Sequence, residues 1–139
     1  MKIEEVLSYD DVLLVPRYSD ILSRTEVNLK SKLGDMTFDF PVIHRYNSID
    51  EQVDIVKDVL NYFPPTHHMR PAAAIGITND FYERAQALYA AGAKILCLDV
   101  AHGHHILMRD ALLKLKDLFG EEVHLMAGNV AMRSAFEDL

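Results

Sequence analysis

From Ser48 onward the apolar positions alternate between two periods. Ile49, Val53, Val56 and Leu60 recur at helical spacing behind Ser48-x-x-Glu51, a capping-box signature, so a helix is predicted from Ser48 to about Tyr62. Pro64 and Pro65 end it. An apolar run over 72–77 then reads as a buried strand stopping at Thr78-Asn79. Asn79 is placed to cap a second helix whose inward stripe is Phe81, Ala85, Leu88 and Tyr89, with Gly92 as its stop. A second strand reaches Asp99, and a third helix, about 105–119, carries Leu107, Ala111, Leu115 and Leu118 inward and ends at Gly120. A strand over 123–127 and a helix starting near Met132 complete the series. Before Ser48 the apolar runs are short, at 12–15, 26–29 and 38–43, and turn formers such as Tyr18-Ser19-Asp20 and Gly34-Asp35 divide them. They predict short strands and loops.

Strand and helix alternate in units of about 23 to 29 residues, which requires crossover connections and a parallel sheet. Two architectures satisfy that pattern, an open doubly wound sheet or part of a (β/α)8 barrel. No glycine-rich phosphate loop of the G-x-G-x-x-G or P-loop kind is present, which leans toward the barrel. A whole barrel takes about 250 residues. These 139 residues therefore supply about half of one.

The chemistry sits where the strands stop. The run Lys94-Ile95-Leu96-Cys97-Leu98 gives way abruptly to Asp99-Val100-Ala101-His102-Gly103-His104-His105, and the next strand to Gly128-Asn129. Parallel strands bring polar side chains to their carboxyl ends, and ligands bind there. Asp99 can take both hydroxyls of a ribose or cap the following helix, and Asn129 can meet a ligand or hold a loop. Three histidines at one strand end raise a metal reading. The spacing fits no zinc-finger or H-E-x-x-H pattern and only one cysteine exists, so no metal is expected.

Composition narrows the partners. Half of the residues are hydrophobic and a quarter charged, enough for one domain with a moderate core. With 14 basic residues scattered among 21 acids and a net charge of -7, no nucleic acid is expected. No apolar run approaches the roughly 20 residues of a membrane helix, and the charged start is unlike a secretory signal. A cytoplasmic, membrane-free protein is expected. Cys97, the single cysteine, fits a reducing compartment and, inside a strand, reads as a buried small thiol.

Six ordered stretches resemble the IMP dehydrogenase/GMP reductase family: Ser8-Tyr9-Asp10-Asp11-Val12-Leu13-Leu14-Val15-Pro16, Ser23-Arg24-Thr25-Glu26-Val27, Phe40-Pro41-Val42-Ile43, His44-Arg45-Tyr46, Asp99-Val100-Ala101-His102-Gly103-His104, and Met126-Ala127-Gly128-Asn129-Val130. The resemblance implies a parallel (β/α)8 TIM barrel. Here it would be about the N-terminal half, with residues 1–40 as a leading segment of short strands and 41–139 as the βα units. The chain departs from the family by running from Ile43 straight to His44, where a helix and a strand are expected. Its residues also stop short of the family's glycine-rich segment with the nucleophilic cysteine, the loop for a monovalent cation such as K+, and the phosphate-binding strands. Cys97 does not match that cysteine, so the chain alone is expected to be inactive.

The implied activity is purine-nucleotide oxidoreduction with NADPH or NAD. In the reductase branch GMP is deaminated reductively to IMP with NADPH; in the dehydrogenase branch IMP is oxidised to XMP with NAD. Only residues 63–71 separate the first helix from the next strand, where dehydrogenases usually insert two regulatory modules, and this favours GMP reductase. By carry-over, Asp99, Val100 and Ala101 contact the cofactor, Tyr46 faces it, and Ser23 and Arg24 reach the cofactor of a neighbouring subunit in a homo-oligomer, a tetramer by resemblance; Asn129, from its place at a strand end, binds the cofactor or holds its loop. Arg45 matches a position usually held by lysine near ammonia release; arginine keeps its proton, so it can stabilise charge but not shuttle. Two other readings stay open: a non-catalytic half-barrel that self-associates through unpaired strand edges, and an unrelated doubly wound binding domain.

Overall fold

The computed structural model describes Val15, Tyr18, Asp20, Ile21 and residues 23–34, 36–38, 43, 47–63 and 70–139. A hairpin of β1 (Ser31–Leu33) and β2 (Met36–Phe38) turns at Gly34, whose φ of 56° a side chain would resist. Then follow α1 (Ile49–Tyr62), β3 (Ala72–Ile75), α2 (Phe81–Ala91), β4 (Ile95–Asp99), α3 (Ile106–Phe119), β5 (His124–Gly128) and α4 (Arg133–Asp138). Strands β3, β4 and β5 pair in parallel and in chain order, Ala72 opposite Ile95 and Ile95 opposite His124.

Alternation along these strands divides the core. Ala73, Ile75, Leu96 and Leu98 point one way and pack with Val56 of α1, Phe81, Ala85 and Leu88 of α2, and Met108, Ala111, Leu115 and Phe119 of α3. All three helices thus back the same face, as successive crossovers of one hand and a sequential strand order require. Fully burying a side chain such as Leu96 is worth about 1.5–3 kcal/mol. On the other face Ala72 and Ile95, at the amino ends of their strands, pack with Phe38 of the hairpin and Met126. The architecture is α/β with a parallel sheet and is compatible with a sector of a barrel.

Local chemistry sets the ends. Ser48 caps α1 in a complete capping box, with its hydroxyl taking the Glu51 N–H and the Glu51 carboxylate taking the Ser48 N–H. The Ser48 hydroxyl, and then its N–H, hold the Glu51 carboxyl below the usual carboxylate range. Gly92 ends α2 with φ 108°, and a Cβ there would lie 2.6 Å from Leu60 Cδ1. Gly120 ends α3.

Several expectations are corrected. The run at 26–29 is no strand: Ser23 accepts the Thr25 N–H on its hydroxyl, Arg24–Glu26 winds into a 3-10 turn, and 27–30 have no regular pairing. The strand placed at 72–77 ends at Ile75. Asn79 does not cap α2; it sits left-handed at φ 55°, and Asp80 is the N-cap residue with its carboxylate drawn to Arg84 instead. Leu60 is 41% exposed and Gln52 is buried in α1's apolar stripe. In α3 the inward side chains are Met108, Ala111, Leu115 and Phe119, whereas Leu107 is 44% exposed and Leu118 half-buried. Both stripes share Ala111 and Leu115; the His105 cap, which accepts the Leu107 N–H, sets the rotation that brings Met108 inside. The runs at 12–15 and 38–43 lie largely outside the described residues.

Candidate functional site

The carboxyl ends of β3, β4 and β5 come together because the strands are parallel and adjacent. Asp99 is the last residue of β4, level with Gly128 of β5. It shares its face with Ile95 and Cys97, the face the helices leave uncovered. Its carboxylate is exposed and makes no hydrogen bond or ion pair among the described residues. The helix-cap alternative for Asp99 falls away, since His105 caps α3.

Beyond Asp99 the backbone is tied to β5. Val100 N–H donates to Gly128 O at 2.8 Å, and Asn129 N–H donates back to Val100 O at 2.7 Å. Asn129 Nδ2 donates to the same oxygen at 3.3 Å, so this amide holds the loop. Gly103 N–H reaches Asn129 O at 2.8 Å, and a Cβ on Gly103 would fall 2.9 Å from that oxygen. Only glycine lets the two loops approach so closely. Ala101 stands exposed between these tethers, and Val100 is half-buried. The result is a backbone-braced loop presenting one unpartnered carboxylate and a small methyl side chain, which suits a sugar hydroxyl pair beside a flat ring.

The histidines separate. His102 is exposed, His104 Nε2 lies 2.8 Å from Asp138 Oδ2 of α4, and His105 is spent as a cap. His104, His105, Arg109 and Asp138 line a shallow recess of about 220 Å³. Among the described residues no three His, Cys, Asp or Glu side chains gather to hold a metal ion. No helix among them is long and apolar enough to cross a membrane.

Cys97 lies half-buried within β4, and burial, then the charge of Asp99, pushes its thiol up. A nucleophilic cysteine needs the opposite shift. Ser23 bonds within its own turn, to Thr25, and Arg24 lies in the same 3-10 turn. Arg45 and Tyr46, like His44, His67 and His68, lie outside the described residues.

Two polar residues escaped the sequence reading. Arg84 is 3% exposed, although charged. Its fork meets Asp80, Nη2 to Oδ2 at 2.7 Å and Nε to Oδ1 at 3.4 Å, while Nη1 donates to Asn47 O at 2.6 Å and to Gln52 Oε1 at 2.5 Å. Gln52 Nε2 in turn donates to Ala74 O at 2.8 Å. The signal was there: Gln52 stands three residues after Ile49 and Arg84 three after Phe81, polar residues within the apolar stripes of successive helices.

Comparison with known proteins places these strand ends in context. A family model described as IMP dehydrogenase / GMP reductase domain matches residues 39–139. A GMP reductase of Lactobacillus delbrueckii subsp. bulgaricus is 28% identical over 156 residues, covering 97% of this chain and 47% of that protein. One of Mesoplasma florum is 26% identical over 151 residues, with 94% and 47% covered. An inosine-5'-monophosphate dehydrogenase of Rhizobium tropici is 48% identical over 63 residues, 45% of this chain and 12% of that protein. The chain spans about half the length of the GMP reductases it matches.

Proposed function

Because the chain belongs to the IMP dehydrogenase/GMP reductase family, we propose that its strand ends form the cofactor side of a purine-nucleotide oxidoreductase site on a (β/α)8 barrel, and that the reaction is the NADPH-dependent reductive deamination of GMP to IMP. The observation that carries this reading is the exposed, unpartnered Asp99 on a loop braced by Val100, Gly103 and Asn129. A carboxylate so placed accepts hydrogen bonds from the two hydroxyls of the nicotinamide riboside, and Ala101 leaves room for the ring. The nicotinamide, when bound, supplies the hydride, and the protein's work is to fix its distance from the purine. Arg45, by its place in His44-Arg45-Tyr46, stabilises negative charge as ammonia departs without giving up its own proton, and Tyr46 lines the cofactor side. Ser23 and Arg24 reach a neighbouring subunit's cofactor in a homo-oligomer. Cys97 does not suit the thiol that attacks the purine, since burial and then Asp99 push it up, away from the thiolate a nucleophile needs.

The reductase branch is favoured by matches that run nearly the whole length of this chain and by the short 63–71 connection between α1 and β3. Oxidation of IMP to XMP with NAD is the second reading, favoured by the higher identity to dehydrogenases over 63 residues. Titrating the chain with NADPH and with NAD by calorimetry tests the site. Saturable binding that Asp99→Asn weakens about tenfold or more, the loss of a charge-assisted hydrogen bond, is expected. Absence of binding by either nucleotide would sink the reading and leave the self-associating half-barrel. Preference for NADPH supports the reductase branch, and preference for NAD the dehydrogenase.

A further inference from the structure

Arg84 is a permanently charged group almost sealed from water. Its partners are not clustered on one element. Asn47 is where the chain approaches α1, Asp80 is where it enters α2, and Ala74, reached through Gln52, is near the carboxyl end of β3. The helix α2 follows β3 and starts at its carboxyl end, so Asp80 and Ala74, with Asn47 joined to them through Arg84, lie at the end of the sheet that bears Asp99 and Asn129.

Stability alone does not call for such a network, because buried ion pairs replaced by apolar side chains of similar volume are often neutral or stabilising. What an apolar cluster lacks is direction. A planar guanidinium with donors on three nitrogens fixes where each acceptor must stand, to within the length of a hydrogen bond. Between the anchors Ala74 and Asp80 runs the turn 76–79. Ile75 pairs opposite Leu98, so Gly76 leaves the sheet level with Asp99, and the turn starts from the strand next to the one that bears Asp99. At the end of that turn Asn79 holds a left-handed backbone immediately before Asp80, whose carboxylate pairs with Arg84.

We propose that Arg84 is a positioning residue for the cofactor side of the site: its hydrogen bonds to Asp80, Asn47 and Gln52 set the place of the 76–80 turn against the Asp99 loop. The inference rests on the reading of Asp99 as a cofactor contact. Arg84 itself touches no cofactor and acts through the turn. Lysine keeps the charge but has no fork, so a purely electrostatic or stabilising role is rescued by Arg84→Lys and a positioning role is not.

The test uses the full chain as wild type, Arg84→Lys and Asp99→Asn, with NADPH titration by calorimetry and amide hydrogen exchange read by mass spectrometry. Arg84→Lys is expected to keep a cooperative thermal transition, to bind NADPH about tenfold more weakly, and to exchange faster at 76–80 with β4 and β5 unchanged. Asp99→Asn is expected to weaken binding with exchange at 76–80 unchanged. If Arg84→Lys does not fold, Asp80→Asn takes its place with the same expectations. Equal NADPH affinity of the folded variant and wild type overturns the positioning role alone; failure of wild type to bind NADPH overturns the cofactor reading and this inference with it.

Discussion

The two faces of β4 do different work with alternate residues of one five-residue strand. Leu96 and Leu98 are sealed under α2 and α3, whereas Ile95, Cys97 and Asp99 run along the other face from a buried amino end to an exposed carboxylate. One parity makes the fold, and the other carries the chain out to the site. The helix-backed side repays close packing, and the opposite side grows steadily more polar toward the mouth. A shift of one residue in register would exchange the two roles and bury Asp99.

The strongest way to break that contrast is Leu96→Ala, which leaves a cavity under the helices and is expected to cost about 2–5 kcal/mol in urea unfolding. Gly103→Ala attacks the mouth instead. Its Cβ meets backbone rather than a flexible side chain, so the tether to Asn129 must shift, with an expected loss of about 1–3 kcal/mol. NADPH affinity is expected to fall with it, and an affinity equal to wild type would show that the brace does not shape the site. The mildest change, Cys97→Ala, removes a half-buried thiol from the open face and is expected to cost under about 1 kcal/mol with NADPH binding intact.

Cys97 also sharpens the contrast through pH. Its thiol is raised in the folded chain by burial and then by Asp99, so folding favours the protonated form. That contribution is whole below the ordinary thiol range and is lost as pH rises through the raised folded value. Alkylation of the native chain by iodoacetamide should therefore be slow at neutral pH and quicken only above the range of an unfolded thiol; fast labelling at pH 7 would contradict the environment described for β4.

Much of this was legible in the sequence because periodicity reports packing directly. The helices behind Ser48, the stops at Gly92 and Gly120 and the strand ending at Asp99 follow from local patterns that tertiary structure did not override. The rotation of α3 was not legible, because stripes through Leu107 or Met108 share Ala111 and Leu115 and the cap that goes with the observed one is His105, not one of the usual capping residues. Asn79 misled as a cap because its neighbour Asp80 takes the cap position while its carboxylate answers to Arg84, four residues on. Asp99 could be singled out at its strand end, but that Asn129 would brace Val100 depends on two loops meeting across 29 residues of sequence. The Arg84 network joins three elements, and its only mark in the sequence is polarity where an apolar residue was due.

The sequential order of β3, β4 and β5 has a bearing on how the chain is made. Each strand finds its neighbour about thirty residues or fewer back along the polypeptide, so the sheet grows in the order in which a ribosome delivers it. Every strand added covers the edge left by the one before and presents a fresh one. During synthesis one open edge therefore travels with the newest strand, and each strand waits exposed until the next emerges.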